Sequence, residues 1–137
     1  MRGYSASAVP TVYASVAPAG DPVIVSVGVL APCPVPIIVS VPVLTGNILR
    51  ITTEACAYAH LGVCTPQARI YVGGVGVGGQ WNRNLPHAGD ADMIKLTYVY
   101  TVLADNPALS VEVWYLRITR DWKMLSAYTS GLQVVKW

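Results

Sequence analysis

The chain has 137 residues, which is enough for one domain with a single hydrophobic core. Its 53% of hydrophobic and 12% of charged residues, against about a quarter charged in typical domains, exclude an intrinsically disordered protein. Nine basic and seven acidic residues give a net charge of +2, which lacks the basic footprint of a nucleic-acid-binding protein.

The first 45 residues differ in composition from the rest of the chain. They carry only two charges, Arg2 and Asp21, and seven of the ten prolines. Because proline opposes helix and removes a ladder donor, this half is predicted to be extended. We expect an extended N-terminal arm over residues 1–20 and a single β-sandwich domain over residues 21–137.

Neither a membrane span nor a cleavable signal peptide is expected. Ser26, Gly28, Ser40 and Pro42 interrupt the longest apolar stretches, so none reaches the ~18 residues that a spanning helix needs. The N-terminal segment lacks the continuous apolar region of a secretion signal.

Alternation with a period of two predicts about eight strands, separated by Gly, Asn, Asp and Pro turn signals. The clearest strand is 93–102, in which one face combines Ile94, Leu96, Tyr98, Tyr100 and Val102. Within 109–119 the apolar phase changes, which predicts a bulge near 113–115. The predicted strands are 23–30, 37–44, 48–53, 69–73, 93–102, 109–119, 122–128 and 132–136.

Only residues 53–61 compete as a short helix. Thr53 could cap it, Glu54 suits its first turn, and Gly62 would end it. With at most this one helix, the sequence predicts an all-β fold, an antiparallel β-sandwich or jelly roll with an extended arm.

A glycine-rich segment contains Gly74, Gly76 and Gly79 at the G-x-G-x-x-G spacing. The dinucleotide fingerprint requires a helix to begin there, whereas the chain continues as 80–86 with Pro86. The glycines therefore indicate a loop or strand end where backbones approach closely, and no nucleotide or other cofactor is expected.

Three cysteines leave several states open. Cys56, His60 and Cys64 are four residues apart, with Cys33 as a fourth potential ligand, but this spacing fits a zinc site poorly and no metal is expected. A Cys56–Cys64 disulfide is possible, and buried free thiols are the other outcome.

No catalytic constellation is present, so no enzymatic activity is predicted. His87, Asp90 and Asp92 lie in a polar segment without a nucleophile motif, which favours a solvated turn. Glu54 and Glu112 are the only glutamates, and they form no recognisable acid pair.

The aromatic residues are four Trp and eight Tyr with no Phe, a composition that suits interfaces. Trp81 precedes Asn82, Arg83 and Asn84, and these four residues are candidates for contacts with a ligand or partner. The low charge predicts that apolar surface is buried in a homo-oligomer. The predicted interface residues are Val9, Val12, Tyr13, Val16, Val23, Val25, Val27, Val29 and Trp137.

The predicted strand number, the chain length and the arm SASAVPTVYASVAPAGDP resemble small single jelly-roll capsid, vertex or decoration proteins of viruses. The resemblance implies self-assembly into a virion or another extracellular assembly, with sister copies and other virion proteins as partners. A single Arg in residues 1–49 predicts no nucleic-acid binding, and a small-molecule ligand is not expected. Two alternatives remain, a lectin-like carbohydrate-binding sandwich using Trp81–Asn84 and a filament subunit joined by donor-strand exchange.

Overall fold

The computed structural model describes residues 9–137, and this part of the chain is built from β-strands. A single 3₁₀ turn at Ser126–Tyr128 is the one helical element among these residues. The strands are β1 Thr11–Ser15, β2 Val23–Ile24, β3 Ala31–Pro32, β4 Ile38–Val43, β5 Ile48–Tyr58, β6 Cys64–Val72, β7 Val75–Asn82, β8 Ala91–Thr101, β9 Asn106–Thr119, β10 Trp122–Leu125 and β11 Gly131–Lys136.

The strands form two antiparallel sheets. In sheet A the order is β1–β11–β5–β8. On the same side of β5 as β11, strand β10 pairs with the last three residues of β5, and β2 pairs with β10. In sheet B the order is β4–β9–β6–β7, and β3 continues β4 along β9. Successive strands from β4 to β6 alternate between the sheets, and only β6–β7 close a local hairpin. This connectivity is a jelly roll, as the sequence predicted.

The core lies between the two sheets, where the period-two pattern places it. On β4 the buried residues are Val39, Val41 and Val43, and on β8 Ile94 is fully buried while Leu96 and Tyr98 pack against the core. Trp122 is fully buried and makes an edge-to-face contact with Tyr115, with the ring centres 5.7 Å apart. The largest fully buried side chains are Trp122, Tyr115, Ile24, Leu49, Ile51, Ile70, Ile94, Met124, Leu132, Val41, Val111 and Val113.

Two sequence expectations fail in the body of the sandwich. Residues 53–58, where a helix was the alternative, belong to β5, because β8 pairs with this strand along its whole length. The bulge predicted near 113–115 is wrong, since β9 pairs with β6 from Thr119 to Val111 without a register shift. The shifts lie instead on β4 between Val41 and Val43 and on β6 between Ala68 and Ile70.

Part of the predicted arm joins the sheet of its own chain. Residues 11–15 form β1, an edge strand paired with β11 from Thr11↔Lys136 to Ser15↔Leu132. Tyr13 packs against the core, and Lys136 lies over its ring at 5.6 Å. Residues 1–8 of the predicted arm lie outside the described residues.

Candidate assembly surface

The residues predicted to form an interface are mostly at the surface of this chain. Tyr13 and Val23 are half-buried, whereas the other seven are exposed, from 40% for Trp137 to 85% for Val16. Val12 and Val16 lie at the β1 edge of sheet A, and Val23 belongs to β2 of the same sheet. Val25, Val27 and Val29 follow β2 and lie beside the end of β9. These side chains form two separate surfaces.

The first surface is the segment 25–29, which runs beside the end of β9. Arg117 holds the backbone at the start of this segment. The Arg117 amide donates to the carbonyl of Ser26 at 2.8 Å, and the Arg117 Nε donates to the carbonyl of Val25 at 3.4 Å. Asp121 holds the same guanidinium at 2.9 Å. With the main chain fixed, Val25, Val27 and Val29 remain more than half exposed. We call these three residues the valine patch.

The second surface is the outer face of sheet A, whose register defines rows of neighbouring side chains. One row runs Val12–Val135–Arg50–Val99, and the next runs Ala14–Gln133–Thr52–Thr97. Trp137 continues the pairing of β11 with β5, because its backbone exchanges hydrogen bonds with that of Ile48. The Arg50 guanidinium lies 5.4 Å from the centre of the Trp137 ring. The outer face of an antiparallel sheet is normally polar, so this apolar end is unusual.

Trp81 does not form an exposed platform with Asn82, Arg83 and Asn84. It lies on β7 opposite Ala68, whose small side chain leaves room for the indole to pack against the core. Arg83 pairs with Asp92 at 3.2 Å, and the two asparagines bond to Gln80 and Thr65. Trp81 lies on a strand because the glycine-rich segment before it forms β7 rather than a loop, and Asn82, Arg83 and Asn84 are exposed.

The glycines of that segment are explained by close packing. A Cβ on Gly76 would lie 2.9 Å from the Arg69 guanidinium, and one on Gly78 would lie 2.8 Å from the ring of Tyr98. Gly78 also has a φ of +67°, which favours glycine. At Gly76 and Gly78 it is therefore side chains, those of Arg69 and of Tyr98 on β8, that approach the strand closely.

The three cysteines are free and buried, so the possible Cys56–Cys64 disulfide does not form. Cys64 belongs to the core between the sheets, whereas Cys56 has the opposite parity to its buried neighbours Ala55 and Ala57 and faces away from that core. Burial raises the pKa of all three thiols, and Asp92 and Asp90 add to this for Cys56 and Cys64. Neutral thiols of this kind are poor nucleophiles and poor metal ligands.

The polar residues that suggested chemistry occupy structural positions. The His87 amide donates to Asp90, whose own amide donates back to the carbonyl of His87, and this closes an exposed turn. Glu54 lies on the outer face of sheet A and Glu112 on that of sheet B, so the sandwich separates the only glutamates. Among residues 9–137, no three His, Cys, Asp or Glu side chains converge.

One aromatic cluster was missed by the sequence analysis. Tyr71 and Trp114 stack on the outer face of sheet B with ring centres 3.9 Å apart and planes 8° apart. Arg69, which pairs with Trp114 across the strands, donates from Nε to the carbonyl of Gly78 at 3.1 Å. If the alternation that begins at Leu109 is continued through Tyr115, Trp114 falls on the outer face. The apolar run 113–116 instead suggested that the buried face switched from odd to even positions.

Comparison with solved structures finds a chain in the structure of infectious bursal disease virus, Gx strain. The TM-score is 0.55 and the sequence identity 16%, over 96% of this chain and 32% of that chain. The present chain therefore spans about one third of the length of the chain it resembles, and the likeness concerns the fold. No family model and no curated protein match the sequence. Within residues 9–137, no helix is long and apolar enough to span a bilayer.

Proposed function

We propose that this protein is a non-enzymatic structural subunit that assembles with copies of itself, as part of a virion shell or its outer surface. The fold-level likeness to a chain from a virus structure supports the class of protein. The observation that carries the proposal is the exposed apolar surface of a chain in which only 12% of residues are charged.

The valine patch supplies this argument in its clearest form. Three valines are 54–70% exposed on a segment whose backbone is fixed by Arg117. A valine gains about 1.5–2 kcal/mol when it is fully buried, before ordering costs. Because the carbonyls of Val25 and Ser26 are already held by Arg117, burying the patch against a neighbour would order less backbone than burying a free segment.

The alternatives receive less support from the same residues. A carbohydrate site at Trp81 would need an exposed ring, whereas this indole packs against the core. A glycosidase would need two neighbouring carboxyl groups, whereas Glu54 and Glu112 lie on opposite outer faces. A filament subunit differs from a shell subunit in the geometry of assembly, which microscopy distinguishes.

The direct test is the mass and shape of the purified full chain. Size-exclusion chromatography with light scattering is expected to give species larger than 14.6 kDa, and negative-stain micrographs are expected to show closed particles. A monomer at all accessible concentrations would refute the proposal. Filaments would favour the donor-strand alternative.

A matched pair of variants tests the valine patch itself. Val27 and Val75 are both 65% exposed, but Val75 lies outside the predicted interface, beside the β6–β7 turn. Val27→Ser is expected to weaken assembly on the order of tenfold, and Val75→Ser to leave it unchanged, because only the first removes buried apolar area. Equal behaviour of the two variants would remove the patch from the interface. Equal unfolding midpoints in urea show that the fold is intact.

A further inference from the structure

Strand β8 forms one edge of sheet A. The hydrogen bonds at its two ends show which of its amides and carbonyls point toward β5. The amide of Val102 donates to Asn47 at 2.9 Å, and the carbonyl of Asp90 accepts from Ala59 at 2.9 Å, so both flanking residues face β5. Backbone groups alternate along an antiparallel strand. The even-numbered residues of β8 therefore bond to β5, and the odd-numbered residues present their amides and carbonyls to the free edge.

This free edge is long and mostly unsatisfied. Of its amides, that of Met93 is capped by the Asp92 carboxylate at 2.8 Å. The amides of Lys95, Thr97 and Val99 have no acceptor within residues 9–137. The strand has eleven residues and no proline, and an edge of this kind is a template for pairing with another strand.

The other edges of the sandwich are shorter or obstructed. The β4–β3 edge contains Pro32 and Pro42, and the second of these lies at a register shift. β7 is interrupted by glycines and by its own register shift against β6. β1 has only five residues. Sheet A is therefore open to continuation mainly at β8.

We propose that β8 pairs antiparallel with β8 of a second copy about a two-fold axis at Thr97, which joins two A sheets into one continuous sheet. This inference rests on the proposed function and names one of its contacts. The pairing places Lys95 opposite Val99 of the second copy and Thr97 opposite its own symmetry mate. Three residue pairs then exchange six hydrogen bonds, using the amides of Lys95, Thr97 and Val99.

Side-chain chemistry favours the register centred on Thr97 over the one centred on Lys95. A register centred on Lys95 would place two like charges directly opposite, which is destabilising. The register centred on Thr97 separates the two lysines and pairs two threonines, a favourable cross-strand combination. On the inner face it brings Leu96 of each copy beside Tyr98 of the other, and both are only half-buried in the single chain.

Proline substitution tests the edge. Thr97→Pro removes an amide that faces away from β5, so the fold of the chain is retained while two bonds of the pairing are lost. We expect the dissociation constant for dimers, measured by sedimentation equilibrium, to rise on the order of tenfold. The matched control is Ser40→Pro on β4, whose residue is also exposed at a sheet edge. This control is expected to leave the dissociation constant unchanged.

Charge substitution tests the two-fold axis without changing the backbone. Thr97 lies directly opposite Thr52 within its own chain, so a charge at 97 has no charge directly opposite it on β5. Arg50 and Glu54 flank Thr52 on the same face and carry opposite charges. Thr97→Lys and Thr97→Glu are each expected to weaken dimers roughly two- to fivefold, because each charge faces its own copy. An equimolar mixture of the two variants is expected to form heterodimers preferentially, as measured by native mass spectrometry at low salt.

The possible outcomes separate this inference from the proposed function. If the unmodified protein is a monomer throughout, both fail. If it assembles and the Thr97 variants assemble equally well, or if the mixture shows no preference, the β8 contact is wrong and the proposed function stands. Loss of dimers with Thr97→Pro, together with preferential heterodimers in the mixture, supports the contact.

Discussion

Strands β4 and β8 occupy opposite ends of the two sheets, and both are edge strands with one buried face. β4 pairs with β9 along one edge, and Pro42 lacks an amide donor. β8 is nearly twice as long, and its solvent-facing amides at Lys95, Thr97 and Val99 are intact. The same period-two pattern therefore produces one edge that resists pairing and one edge that permits it.

The largest expected effect comes from comparing proline at two neighbouring positions of β8, residues 96 and 97. Leu96→Pro removes an amide that bonds to β5 and disturbs a side chain packed against the core, so it should cost about 3 kcal/mol or more of unfolding free energy. Thr97→Pro, with its amide at the free edge, should cost about 1 kcal/mol. Urea unfolding at low protein concentration measures both. Equal losses would contradict the assigned backbone directions.

A smaller effect concerns the contact that seats β8 against β7. Gly78 has a φ of +67°, and a Cβ there would lie 2.8 Å from the Tyr98 ring. Gly78→Ala should therefore destabilise the fold by about 1–3 kcal/mol, because the ring must move and the backbone is strained. Gly79→Ala is the control, since no atom lies within 4 Å of its Cβ position. A similar thermal midpoint for the two variants would argue against this packing.

The smallest effect concerns the turns that follow β4 and β8. Asp105 accepts hydrogen bonds from the Thr45 amide at 2.7 Å and from its hydroxyl at 2.9 Å, and these bonds lower the pKa of the Asp105 carboxyl. Because the carboxyl has a lower pKa in the folded chain, its charge stabilises the fold fully at pH values above the unfolded-state pKa of about 3.9. This stabilisation is lost as the pH falls through the pKa of the folded state.

Thermal unfolding as a function of pH checks this contribution. Asp105→Asn should lower the midpoint slightly at pH 7, and the difference from the unmodified protein should disappear in strong acid. Thr45→Ala removes only the hydroxyl donor and should give a smaller difference. A midpoint difference that persists unchanged in acid would show that the carboxyl charge is not responsible.

Much of the fold was predictable because strand alternation is a local property. In the predicted strand 37–44, alternation places Val39, Val41 and Val43 on one face, and all three are buried. The environments of Trp114 and Trp81 did not follow from the sequence, because residues on neighbouring strands decide them. Trp114 is tolerated on an outer face by stacking on Tyr71, and Trp81 turns inward because Ala68 lies opposite.

The candidate surface was predictable in composition but not in position. Val25, Val27 and Val29 could be identified from the sequence as apolar residues of one face. Their position beside β9 involves Arg117, which is distant in sequence and donates hydrogen bonds to the carbonyls of Val25 and Ser26. Cys56 and Cys64 show the same limit, because only the placement of β5 and β6 in different sheets puts the two thiols on opposite sides of sheet A.

The sequence by itself determined that this protein forms strands, which side chains those strands bury, and how little charge remains to cover the surface. These properties follow from side-chain polarity and a two-residue repeat, which act between near neighbours. Only the tertiary structure decided which strands became edges and which amides face solvent. Those features depend on partners such as Val102 and Asn47, which lie far apart in the chain and meet only when the sheets assemble.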